Sequence, residues 1–231
     1  MTLYVAPIVE GQTEFGCLET LLQRVWVQLL QSPVRMQVLL PSRDKRASLV
    51  HPAPNMQSLN RKVEEAFGKL AQRIAFDPGS RGLLLILLDS EKDCPAELGP
   101  KLLSTARAAR SDADIACVLA KRMFENWIVG GASTLAGIKG LPKIIPARSN
   151  VEECSGASWL NSQIRKVDPT RIYKKTAYAN AFVKKIDLHE CRANCPSFDK
   201  LCRELQARVP PMVPIVEPEN PEAQLPLQPA A

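Results

Sequence analysis

Two histidines in 231 residues leave little room for histidine chemistry. His51 and His189 are too few for a histidine-ligated metal hydrolase and argue against a Ser-His-Asp triad, both of which need placed imidazoles. No Gly-x-x-x-x-Gly-Lys-[Ser/Thr] loop occurs, so any ATPase acting with this chain would be another protein. No run of about 18 apolar residues occurs, which excludes a transmembrane helix. The N-terminus runs straight into an apolar strand, without the basic-then-apolar pattern of a signal peptide. Seven cysteines form an odd set without regular spacing, the pattern of reduced thiols in a cytoplasm rather than a disulfide scaffold. His189, Cys191, Cys195 and Cys202 do not make paired Cys-x-x-Cys hooks, and Pro196 interrupts them, so zinc is disfavoured.

What is present is an ordinary globular composition, 45% apolar and 23% charged, on a length that suits one domain with a core. The formal net charge is +6. Residues 210–231 hold three glutamates and no basic residue, so the rest of the chain carries 30 minus 21, or +9. A basic body of this kind points to a polyanion, DNA or RNA. The last 22 residues contain seven prolines and no glycine, and read as an extended or disordered tail.

Hydrophobic spacing gives the elements. Leu3–Ile8 reads as a buried strand, and Leu18, Leu21, Leu22, Val25, Trp26, Leu29 and Leu30 mark one face of a helix. Val34–Leu40 is a second strand. Pro41–Pro54 is a polar loop carrying Arg43, Lys45, Arg46 and His51, read either as a solvated connection or as a basic arm touching phosphates. Asn55 caps a helix to about Phe76, stopped by Asp77-Pro78-Gly79. Leu83–Leu88 is a strand apolar on both faces, Pro95 starts a helix to about Arg110, Ile115–Leu119 is a strand, and Phe124–Val129 a helix. This alternation predicts an α/β fold, a parallel sheet with helices on both faces, over residues 1–130. Residues 131–209 read as a helical cap on the same domain, with helices over Ala157–Val167, Thr176–Ile186 and Leu188–Arg208, the last broken at Pro196.

The chemistry concentrates at two strand ends. Val9-Glu10-Gly11-Gln12-Thr13-Glu14 places two carboxylates on a strand-to-helix turn, beyond the carboxyl end of a strand, where open α/β sheets bind ligands. Asp89-Ser90-Glu91-Lys92-Asp93 ends the Leu83 strand. Carboxylates at positions i and i+2 of an extended segment point to one side, so Asp89 and Glu91 can converge on one hard divalent cation, magnesium or manganese. Glu125 has two readings, a surface glutamate on a partly buried helix or a member of the same site. Lys174 and Lys175 likewise read as a solvated helix start or as a phosphate clamp.

These two turns resemble the Toprim domain of topoisomerases, bacterial primases and OLD nucleases. More closely, they resemble a family of bacterial Toprim-like proteins of unassigned function found beside ATPases in defence gene clusters. Arg122-Met123-Phe124-Glu125-Asn126-Trp127, Tyr173-Lys174-Lys175-Thr176 and Cys195-Pro196-Ser197-Phe198 add to the likeness, which spans roughly residues 3–205. The second turn reads Asp-x-Glu where the Toprim pattern has Asp-x-Asp. The resemblance implies a Toprim-like fold and a metal-dependent nuclease. Glu10, Asp89, Glu91 and Asp93 would hold the metal. Glu10, Glu14, Asp89, Glu91, Glu125 and Lys175 would serve catalysis, and Arg43, Lys45, Arg46, Lys174 and Lys175 nucleic-acid binding. It also implies an ABC- or AAA-type ATPase as a partner. The alternative is a non-catalytic subunit with a degenerate site, binding nucleic acid or that ATPase.

Overall fold

β1 (Thr2–Val9) is the strand on which the sheet is built, buried along nearly its whole length. The structure, a computed structural model, describes residues 1–50 and 56–211. From β1 the chain enters α1 (Gln12–Arg24), continues through a π-helical turn over Val25–Leu29, and returns as β2 (Arg35–Val38) parallel to β1. α3 (Met56–Phe76) then carries it to β4 (Arg81–Asp89), parallel to β1 on its other side. α4 (Pro95–Ala109) leads to β5 (Ile115–Ala120) beyond β4. The order is β2-β1-β4-β5, with every pairing parallel. The chain leaves β1 in one direction and comes back on the other, so β1 and β4 flank the topological switch point, where such sheets open a crevice at their carboxyl ends.

Alternation of side chains along the strands divides the core into two layers. Leu3, Val5 and Val9 of β1 and Leu83, Leu85 and Leu87 of β4 face α1 and the later helices. Tyr4, Ala6, Ile8, Leu84, Ile86 and Leu88 face α3 and α4. The sheet is therefore covered on both faces, as the unbroken apolar run of β4 predicts. Beyond β5 come α5 (Glu125–Gly130), 3₁₀ turns at Ala132–Leu135 and Ile138–Gly140, α6 (Gly156–Val167), α7 (Lys175–Val183), α8 (Leu188–Asn194) and α9 (Pro196–Gln206). Their apolar residues, Trp127, Leu160, Phe182, Phe198 and Leu205 among them, join the layer that holds α1. All seven cysteines are free thiols. Among the described residues no helix is long and apolar enough to cross a membrane.

The loop expected over Pro41–Pro54 is more ordered than its composition suggests. Leu39 donates its N–H to Val5 O at 2.8 Å, Pro41 has no N–H to continue the ladder, and the edge resumes as β3 (Ser42–Arg43) beside Ile8 and Val9. A short helix, α2 (Arg46–Val50), follows, burying Leu49 and Val50. His51 and the Asn55 cap lie outside the described residues, as does the proline-rich tail from residue 212.

α5 is fixed from three sides. Trp127 is fully buried, donates its indole N–H to Ser197 Oγ at 2.7 Å, and meets the Phe198 ring edge-on at 5.4 Å. Asn126 donates to Lys121 O at 3.0 Å and accepts the Gly156 N–H at 2.8 Å. A Cβ on Gly156 would stand 2.6 Å from the Glu125 carbonyl carbon and from Asn126 Oδ1. The backbone of α5 would have to move to admit it. Gly156→Ala is expected to cost about 2–3 kcal/mol, seen as a lower urea midpoint with an unchanged m-value.

Candidate functional site

Glu10 follows the last residue of β1, and Asp89 is the last residue of β4. Val9 pairs with Leu87, so the two acids leave the carboxyl ends of neighbouring parallel strands at the switch point. Glu14 enters from the first turn of α1 and Glu125 from the first turn of α5. Lys175, the first residue of α7, places its ammonium 3.2 Å from Glu125 Oε1. Five elements thus deliver Glu10, Glu14, Asp89, Glu125 and Lys175 to one place.

The local backbone explains how. Gly11 is the residue before α1, and a Cβ there would overlap the Glu14 carboxylate. Glycine lets the glutamate fold back over its own helix start, where the N–H groups of Gly11 and Glu14 favour its charged form. This is the acidic half of a capping box. Asp89 is oriented by the Phe124 N–H, which donates to its Oδ1 at 2.7 Å. Ser90 joins the ends of β4 and β5, donating its N–H to Ala120 O at 2.9 Å and accepting the Arg122 N–H on Oγ at 2.9 Å. Glu91 and Arg122 have φ of 51° and 63°, left-handed values uncommon for residues with a Cβ and often found beside functional sites.

That geometry corrects the second turn. β4 ends at Asp89 and the chain turns at once, so Asp89 and Glu91 are not on one side of an extended segment. The Glu91 side chain is 60% exposed and lies 3.6 Å from Arg46, and Asp93 also pairs with Arg46. Both acids line the rim and do not join the buried cluster. Arg46 is corrected too: it is 9% exposed and donates to Asp89 O at 2.9 Å and Ser90 O at 3.2 Å. It is a strut for the acidic turn rather than an arm for phosphates. Arg43, Lys45 and Lys174 are exposed. Arg43 sits beside Val9 at the end of β1, and Lys174 precedes α7.

Electrostatics set the cluster apart. Burial, then the charge of Glu14, lifts the Glu10 carboxyl from an ordinary 4.5 to about 7, against the pull of Arg46 and Lys175. Asp89 is pushed well above the usual range by burial and then by Glu14, Glu10 and Glu125. Glu14 is raised by burial, with Glu125 adding to it. Burial opposes the charge on Lys175, yet Glu125, Asp89 and Glu14 together outweigh it and raise its pKa.

Hydrogen bonding is incomplete in the same place. Glu10 Oε2, Glu14 Oε2, both oxygens of Glu125 and the Tyr173 hydroxyl are buried without a hydrogen-bond partner among the described residues. Glu125 has one partner of another kind, the Lys175 ammonium 3.2 Å from its Oε1 in an ion pair. Buried polar atoms are nearly always satisfied, so a group of orphans marks a place for water or an ion. By contrast, an apolar cavity of about 470 Å³ between α4, β5 and α9 has its one buried carboxylate, Glu152, satisfied by Ser197. Tyr173 is the site member that spacing did not reveal. It lies in the quoted Tyr-Lys-Lys-Thr motif, but only packing against Phe182 shows which way its ring lies.

Oxygen is the only donor type the acids of this site offer, and hard divalent cations prefer it. No three His, Cys, Asp or Glu side chains among the described residues already surround one point. Magnesium does not require that, since it commonly uses one or two carboxylates and keeps several waters. Glu10 and Asp89 therefore fit the ion, with water and substrate oxygens completing its shell.

Residues 9–206 match the family described as a domain of unknown function, DUF4276, and the chain belongs to that family. No curated protein and no solved structure matches it. The match is to a family of unknown function and supplies no evidence for a relation to Toprim or the OLD nucleases, while the all-parallel sheet with helices on both faces is consistent with a Toprim-like fold.

Proposed function

We propose that this protein is a magnesium- or manganese-dependent phosphodiesterase acting on DNA or RNA, with its metal between Glu10 and Asp89. One observation carries the reading: the buried oxygens of Glu10 and Glu14 that accept no hydrogen bond among the described residues, beside Asp89 at the sheet's switch point. A buried polar atom without a partner is costly, and structural acids elsewhere in the chain, Glu152 and Asp199, have their partners. The Toprim likeness of the two turns agrees with this chemistry, as does the +9 balance of residues 1–209. The defence-type ATPase partner belongs to the same proposal.

Glu10 and Asp89 would hold the ion, which would supply polarisation of the phosphate, a lowered pKa of water and charge for the leaving oxygen. The chain's own residues do the rest. Asp89 is held in one orientation by the Phe124 N–H. Glu10, whose carboxyl is raised to about 7 in the metal-free protein by burial and Glu14, would release its proton on taking the ion. Glu14 and Glu125 stand behind it, with Lys175 paired to Glu125. Arg43, Lys45 and Lys174 draw the polyanion to the mouth.

The test is cleavage of single- and double-stranded DNA and RNA with magnesium, with manganese, and with chelator. Metal-dependent cleavage is the expected result. Binding without cleavage under all conditions would favour the non-catalytic subunit. Changing Arg43, Lys45 and Lys174 together to alanine should weaken binding and reduce the slope of log K against log salt by about 2–3, measured by fluorescence anisotropy at several salt concentrations.

A further inference from the structure

Lys175 is placed to neutralise the acids before any metal arrives. Its ammonium lies 3.2 Å from Glu125, a residue 1% exposed for which it is the ionic partner among the described residues. It also acts on Glu10, Glu14 and Asp89. Arg46, which acts on Glu10 more strongly than Lys175 does, is committed to the backbone oxygens of Asp89 and Ser90 and to the rim acids. Lys175 has no such tether. Its side chain is 50% exposed, its ionic partner among the described residues is Glu125 alone, and it stands on the first turn of α7 at the mouth of the cluster.

We propose that Lys175 is a resident counter-cation that competes with the divalent ion for these carboxylates and swings outward when the ion enters. The proposal rests on the metal reading given above. An ammonium and a divalent ion among the same acids repel each other, and only the lysine has a flexible stem by which to leave. Once outside, the ammonium is at the same mouth as Lys174, where a substrate phosphate would arrive. Metal entry and phosphate binding would then favour each other, since each stabilises the outward lysine.

The experiment measures manganese binding to the full-length protein by the electron paramagnetic resonance signal of free ion at pH 7.5, without nucleic acid. The proteins are wild type, Lys175→Met, Lys175→Gln, Lys175→Arg and Asp89→Asn. Lys175→Met and Lys175→Gln should bind manganese at least about tenfold more tightly than wild type, Lys175→Arg no more tightly, and Asp89→Asn hardly at all. Structural damage would weaken metal binding rather than tighten it, and the glutamine variant carries the comparison if the methionine variant folds poorly. Wild-type or weaker affinity in both neutral variants, with binding lost in Asp89→Asn, would overturn the role of Lys175 and leave the metal site standing. No manganese binding in wild type, or unchanged binding in Asp89→Asn, would remove the metal reading and this proposal with it.

Discussion

Asp89→Asn should reduce metal-dependent cleavage by at least about a thousandfold, a loss of roughly 4 kcal/mol of transition-state stabilisation, while nucleic-acid binding stays intact or becomes slightly tighter. Asparagine keeps the shape and can still accept the Phe124 N–H that orients Asp89. It removes one negative charge from a site that phosphate must approach, while Arg43, Lys45 and Lys174 still supply the attraction. Single-turnover cleavage and equilibrium binding on one substrate separate the two effects. Equal residual cleavage in both proteins would point to a contaminating nuclease. Parallel loss of binding and cleavage would make Asp89 a structural residue.

Glu10→Gln should make the metal-free protein more stable above pH 7. The Glu10 carboxyl is raised from 4.5 to about 7 by burial and then by Glu14, and Asp89 and Glu14 are raised as well. Between pH 4.5 and 7 the folded protein therefore holds more protons than the unfolded chain at Glu10, and Asp89 and Glu14 act in the same direction. Their contribution is fully present below the unfolded pKa and is lost as pH rises through the folded one. For Glu10 the 2.5-unit difference (7 minus 4.5), discounted for its partial exposure, amounts to about 2 kcal/mol. A glutamine at that position escapes the loss, so the variant should melt about 4–8 °C higher than wild type at pH 8 and show little difference near pH 4. Magnesium should narrow the gap at pH 8 by stabilising wild type more than the variant. Differential scanning fluorimetry across pH with magnesium or chelator reads all three. A lower melting temperature for Glu10→Gln at pH 8 would mean that the charge is compensated in the fold.

Much of this architecture is written in local spacing. The Leu3 and Leu83 runs, each buried on both faces, mark β1 and β4, and apolar residues at helical intervals mark α1, α3, α4 and α6. The Asp77-Pro78-Gly79 stop is visible in its residue types, and Gly79 takes a φ of 89° that few other residues adopt. The carboxylates at the ends of β1 and β4 were legible for the same reason: a strand end followed by a helix is a local pattern. The rest depends on contacts remote in sequence. β3 is two residues long and is held by hydrogen bonds to the end of β1, so no periodicity announces it. Arg46 looks like any surface arginine until α2 buries it against carbonyl groups 43 and 44 residues away. Glu91 looked like a ligand because alternation was carried past Asp89, where Ser90 ties β4 to β5 and the backbone turns left-handed. Glu125 and Lys175 come together only because α7 packs against α1 and α5.

The most direct measurement is a crystal of the wild-type protein soaked in manganese, with data collected for anomalous scattering. The account predicts an anomalous peak between the Glu10 and Asp89 carboxylates, about 2.1–2.2 Å from an oxygen of each, absent from crystals of Asp89→Asn. Ordered water alone among Glu10, Glu14, Glu125 and Tyr173 at saturating manganese, with no anomalous signal, would contradict it.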